Sequence, residues 1–208
     1  MKGSREENIR QIIEMEDRIA KCQRCRTLTQ CVRKPSAGKG ELEPDLMMVF
    51  EYDNSFTRDI QNVIELRNLI KHEFQIDKIY HTFMVRCQPK ACATRNNLNC
   101  FSETRLLNKD NQCLLHGREC EGIPIMPSDG EVMSCLPFLL EEINILNPNY
   151  LMLFGFRVGE YVLKSRGIFD IEDNKNVYRQ GESCMVMLPD KEPIDSAFCQ
   201  QVLQQMRA

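Results

Sequence analysis

The sequence predicts an α/β protein built on a parallel β-sheet with helices on both faces. Helical and strand-length segments alternate along the 208 residues. The strand segments are short continuous apolar runs, as expected of strands buried on both faces. The length favours a single domain, residues 1–208, carrying an insertion, over two full domains. Hydrophobic residues make up 42% and charged residues 27%, enough apolar material for one core and too ordinary a mix for a disordered tail.

The elements follow in order. Residues 5–21 read as a helix, because Ile9, Ile12, Ile13 and Ile19 recur at helical spacing between charges. Residues 35–40 are a loop on composition. It contains Gly38-Lys39-Gly40, but no Ser or Thr follows the lysine and a strand comes next, which rejects a phosphate loop. Residues 45–50 form a strand, 56–74 a helix through Ile60, Val63, Ile64, Ile70 and Phe74, and 78–85 a second strand. A third helix covers 131–146, with Leu136, Leu139, Leu140, Ile143 and Leu146 on one face and Pro148 beyond its end. A strand at 150–154 ends at Gly155, a short helix spans 157–165, a fourth strand 184–188, and a helix closes the chain at 192–207. Ligands of such sheets sit beyond the carboxyl ends of the strands, which directs attention to 50–56, 83–92, 154–157 and 187–190.

Cysteine is the unusual residue. There are eleven, an odd count, so a fully paired intramolecular disulfide framework is impossible. No N-terminal segment reads as a signal peptide, and no apolar run approaches the roughly 18 residues of a membrane helix. The expectation is a cytoplasmic protein with no membrane partner, whose cysteines serve metal or cluster ligation. The net charge of −3 means that binding to nucleic acid must come from a local patch.

Cys22-x2-Cys25 follows the first helix, and its spacing lets two thiolates reach one metal from a single turn. By itself it suits a redox pair, a zinc half-site or a cluster half-site. It does not open a helix after a strand, so the thioredoxin-like arrangement is disfavoured. Residues 88–130 form a Cys-rich insertion with little periodicity, and a connection of that length is functional or separately held together. It carries Cys92, Cys100, Cys113 and Cys120, with His116 three residues after Cys113. These are candidate ligands of a second metal, zinc, bound tetrahedrally, although their spacings match no standard finger. Residues 81–120 hold six basic side chains (Arg86, Lys90, Arg95, Arg105, Lys109, Arg118) against three acids, a local net of +3. That stretch is a candidate phosphate-contacting footprint for single- or double-stranded DNA.

The order of motifs is more specific than any one of them. It runs helix, Cys22-x2-Cys25, a strand ending at Glu51, a long helix, then Tyr80-His81-Thr82-Phe83-Met84-Val85-Arg86-Cys87-Gln88-Pro89, then Cys135 near a helix start, and finally Leu153-Phe154-Gly155. This order resembles the iron–sulfur class of the uracil-DNA glycosylase superfamily, over nearly the whole chain and most clearly over 10–165. The resemblance implies a three-layer α/β/α domain with a central four-stranded parallel sheet and a 4Fe-4S cluster. Its ligands would be Cys22, Cys25, Cys87 and Cys135, with Cys92 or Cys100 as alternatives to Cys87. The implied role of the cluster is mainly structural.

Departures from the family bear on chemistry. Its glycine- and proline-containing water-positioning loop is replaced by Phe50-Glu51-Tyr52-Asp53-Asn54, which keeps only the acid. Phe83 stands where the family has the asparagine that reads the base, and Leu188 stands where it has a histidine. Excision needs a base reader, a stacking ring, a positioned water and a stabiliser of the charge developing on the base. Glu51 and Asp53 are the candidate water-activating residues, and Tyr52, Phe83 and Leu188 the candidate base pocket. Three functions compete: a DNA-associated iron–sulfur protein without ordinary uracil excision, an active glycosylase on uracil or another damaged base, and a cluster-bearing adaptor in a replication or repair complex. Cys31, Cys184 and Cys199, the strand methionines Met47, Met48, Met185 and Met187, and His72 and His81 carry no assigned chemistry; the histidines are expected at the surface or fully hydrogen-bonded.

Overall fold

The computed structural model describes residues 4–25, 35–87, 90–91, 112–114, 117, 123–124, 126–172, 175–188 and 194–207. The chain runs α1 (Arg5–Ala20), β1 (Lys39–Gly40), β2 (Leu46–Phe50), α2 (Ser55–Arg58), α3 (Ile60–Phe74), β3 (Ile79–Phe83), β4 (Lys90–Ala91), β5 (Ile123–Pro124), α4 (Asp129–Leu146), β6 (Tyr150–Phe154), α5 (Phe156–Ser165), β7 (Val177–Gln180), β8 (Ser183–Leu188) and α6 (Ser196–Arg207).

The main sheet is six-stranded and mixed, in the order β1-β3-β2-β6-β8-β7. The apolar runs β3, β2, β6 and β8 pair in parallel at its centre. The expected four-stranded parallel sheet is therefore corrected: antiparallel strands close both edges, β1 against β3 and β7 against β8. These edge strands are short, and an edge strand needs no continuous apolar run because much of it faces water. Lys39 and Gly40 are exposed, as are Arg179 and Gln180. The 88–130 insertion begins and ends on a two-stranded ladder, β4 against β5.

Alternation along each strand divides the core in two. Met47, Val49, Leu151, Leu153, Met185 and Met187 face a cluster completed by α1, α4 and α5. Leu46, Met48, Phe50, Met152 and Val186 face a second cluster, completed by α3 and α6. The strand methionines are core fillers, as expected. Two helical faces are rotated from the expectation. On α1 the buried residues are Asn8, Ile12, Met15 and Ile19, leaving Ile9 and Ile13 exposed. On α3 they are Val63, Leu66 and Ile70, leaving Ile60 and Ile64 exposed.

Local signals set the helix ends. α4 opens on a capping box: Ser128 N–H donates to Glu131 Oε2 at 2.7 Å and Glu131 N–H to Ser128 Oγ at 3.4 Å. It ends at Asn147, in the left-handed region at φ 42°, one residue before Pro148. Gly155, at φ 104°, makes the turn from β6 into α5, a conformation that disfavours any side chain. No helix among the described residues is long and apolar enough to cross a membrane.

Candidate metal centre and the carboxyl end of the sheet

Three separate segments deliver four cysteines to one recess. Cys22 and Cys25 lie just past α1, where Cys22 N–H donates to Ile19 O at 3.1 Å. Cys87 follows β3, and Cys135 sits in the second turn of α4. Two hydrogen bonds carry the pairing of β3 past its end, Met84 N–H to Phe50 O at 2.7 Å and Val85 N–H to Glu51 O at 2.8 Å, and so place Arg86 and Cys87. Arg24 pins the Cys22–Cys25 turn to α4. Its guanidinium lies 4.6 Å from the Phe138 ring centroid and donates to Ser134 O at 3.4 Å. The recess is lined by Ile19, Cys22, Cys25, Val85, Arg86, Cys87, Ser134, Cys135 and Phe138, and has a cavity volume of about 20 Å³. All four cysteines are thiols rather than disulfides.

Burial pushes the Cys25 and Cys135 thiols up, and the neighbouring sulfurs push them further. For Cys135 the Arg86 backbone N–H, 3.3 Å from Sγ, works in the opposite direction. Among the described residues no three His, Cys, Asp or Glu side chains gather round a single ion. Four cysteines line the recess, and four thiolates are the donor number that either a zinc ion or an iron–sulfur cluster takes.

Beside the recess is a buried polar group that sequence reasoning missed. Glu142 is completely buried and ion-paired with Arg86. It also accepts from Tyr80 Oη at 2.8 Å and from Thr82 Oγ1 at 2.6 Å. The signal was present in the helical period, which puts a lone acid on the apolar face of α4 between Leu139 and Leu146. The expectation that Arg86 contacts DNA phosphate is corrected: it is 2% exposed and committed to Glu142. Arg95, Arg105, Lys109 and Arg118 lie outside the described residues, and of Lys90 only the backbone, in β4, is described. Of the second metal's candidate ligands, Cys113 is buried, while Cys92, Cys100, His116 and Cys120 lie outside the described residues, as does Cys31.

At the carboxyl end of the sheet the expected acids are held by other side chains and two of the expected pocket residues are in the core. Glu51 is ion-paired with Arg157, whose guanidinium also bonds Pro127 O at 2.7 Å and Asp129 at 2.6 Å. Burial works against the Arg157 cation, but Asp129 and Glu51 outweigh it and hold its pKa above the ordinary value. Asp53 accepts from Thr57 Oγ1 at 2.9 Å and from Ser36 Oγ at 3.5 Å. Phe83 and Leu188 are buried in the second core cluster, and Phe50 fills the space between strands, 4.5 Å from the Phe154 ring centroid and 6.2 Å from that of Phe83. Tyr52 is half-buried, and burial followed by the charge of Glu51 pushes its phenol up.

The remaining expectations divide. Cys184 and Cys199 are buried thiols, and His72 is exposed. His81 is buried with no partner for Nδ1, contrary to the expectation of a surface or fully hydrogen-bonded residue. No family model matches the chain, and no curated protein matches it.

Proposed function

We propose that the chain is an iron–sulfur protein of the uracil-DNA glycosylase superfamily, with the three-layer arrangement of that class. On this reading it serves DNA as a binding or scaffolding module and does not excise uracil. The observation that carries the reading is the meeting of Cys22, Cys25, Cys87 and Cys135 in one recess. They come from three segments far apart in sequence, in the order the resemblance implies. A cluster bound there would tie the end of α1 to β3 and α4, a mainly structural contribution.

The loss of excision is supported by the state of the would-be pocket. A flipped base needs a polar reader and an open slot. Here phenylalanine rings and Leu188 occupy the strand ends, and Glu51 neutralises Arg157. A second reading, a cluster-bearing adaptor for a repair or replication protein, is favoured by the exposed apolar residues Phe56, Ile60 and Ile64 on α2 and α3.

Protein purified without air is expected to be brown, with about four irons per chain. Cys135→Ala should lose them, and a colourless protein carrying only zinc defeats the reading. Uracil-free DNA should be retarded in a salt-dependent way, and the retardation should disappear when Arg95, Arg105 and Arg118 are neutralised together. Uracil-containing DNA should gain no abasic sites. Robust abasic-site formation abolished by Glu51→Ala would overturn the loss of excision.

A further inference from the structure

Arg86 touches the cysteine recess in two ways. Its backbone N–H donates to Cys135 Sγ at 3.3 Å, and the residue is one of those that line the recess. The guanidinium is almost wholly buried and its other end is ion-paired with Glu142. Its Nε–H, however, is buried with no acceptor. An unmade hydrogen bond of a buried cation is costly. The surrounding network is built to hold that cation. Tyr80 donates to one Glu142 oxygen and Thr82 to the other, which holds the carboxylate in place beside Arg86. Glu16 on α1 is the other acid near this network, and burial followed by the charge of Glu142 raises its pKa.

A cluster ligated by four thiolates is an anion, and a buried anion requires donors and positive charge around it. We propose that Arg86 is the positioning residue of this centre: its backbone N–H serves Cys135, its Nε–H donates to a sulfur of the bound cluster, and Glu142, Tyr80 and Thr82 hold the guanidinium for that contact. The inference rests on the iron–sulfur reading above and assigns residues to it that the cysteine pattern does not name. Hydrogen bonds to cluster sulfurs and nearby positive charge favour the reduced state, because it is the more negative one.

The test uses the full chain, purified anaerobically, with iron per chain and midpoint potential by voltammetry as readouts. Two variants are compared with the wild type. Arg86→Gln combined with Glu142→Gln removes the guanidinium without leaving a buried charge alone. Arg86→Lys keeps the charge and the backbone N–H but deletes the Nε–H. The potential is read on the iron-loaded fraction of each variant. In the double variant the reduction equilibrium should shift at least tenfold towards the oxidised form, about 59 mV for one electron. Arg86→Lys should shift it in the same direction by a smaller factor. Wild-type potentials in iron-loaded variants overturn the role of Arg86 and leave the cluster reading intact. If the double variant does not fold, an unchanged potential in Arg86→Lys is sufficient to overturn it. Wild-type protein that takes up no iron overturns the cluster reading itself, and the inference with it.

Discussion

Glu51, the residue after β2, is ion-paired with Arg157 in the first turn of α5, and so closes the carboxyl end of the sheet over the turn at Gly155. Both side chains are largely buried, 14% and 20% exposed. Arg157 keeps Asp129 and Pro127 O when Glu51 is removed. Glu51→Ala should therefore lower stability by about 1–3 kcal/mol, less than the loss of an isolated buried pair. Glu51→Gln, which retains an acceptor, should cost less. Urea unfolding of the two variants checks the order, and equal stability of all three proteins would remove the ion pair as a closing contact.

A larger effect is expected at Glu142. Glu142→Leu leaves the Arg86 guanidinium buried and unpaired and strands the hydroxyls of Tyr80 and Thr82. The expected cost is about 3–5 kcal/mol. Arg86→Met added to Glu142→Leu should recover much of it, because no charge then remains to be buried. A double-mutant cycle by chemical denaturation reads the coupling directly.

His81 makes stability depend on pH. Burial first, then the cations Arg67 and Lys39, lower its pKa to about 4 from 6.5, with Asp53 opposing them. The unfolded chain takes up the proton near 6.5 and the folded chain only near 4. Its contribution is complete above 6.5 and is lost as the pH falls towards 4, amounting to about 3 kcal/mol across that window. Wild type minus His81→Leu, measured by urea unfolding at pH 7 and pH 4.5, should show this difference. A pH-independent gap between the two proteins would contradict it.

The thiols outside the recess should behave differently from those within it. Cys199 is buried on α6, and burial, with Glu73 and Asp195, pushes its pKa up to about 11. In folded protein at pH 8 it should resist maleimide until the chain unfolds. On the proposed iron–sulfur reading, Cys199→Ala and Cys184→Ala should keep the iron content of the wild type, whereas Cys135→Ala should not. Loss of iron in the first two variants would redraw the ligand set.

The order of helices and strands was legible because each central element carries its own signal: strand-length segments rich in apolar, aromatic and β-branched residues at 45–50, 78–85, 150–154 and 184–188, and helical spacing in α1, α3 and α4. The edge strands β1 and β7 were not, because half-solvated residues carry no apolar run. Helix faces were legible only to within a fraction of a turn. Ile13 and Ile64 have the spacing of core residues, and packing left them outside.

By itself the sequence determined the segments, the odd cysteine count and the pattern that singles out Cys22, Cys25, Cys87 and Cys135, since these depend on spacing along the chain. Only the tertiary structure decided that the four share a recess, that Arg86 faces Glu142 and not solvent, and that Glu51 is neutralised by Arg157. Those relationships join residues 48 to 113 positions apart for the cysteines of different segments, 56 for Arg86 and Glu142, and 106 for Glu51 and Arg157. Their energies come from burial and pairing in three dimensions, and no local period encodes such contacts.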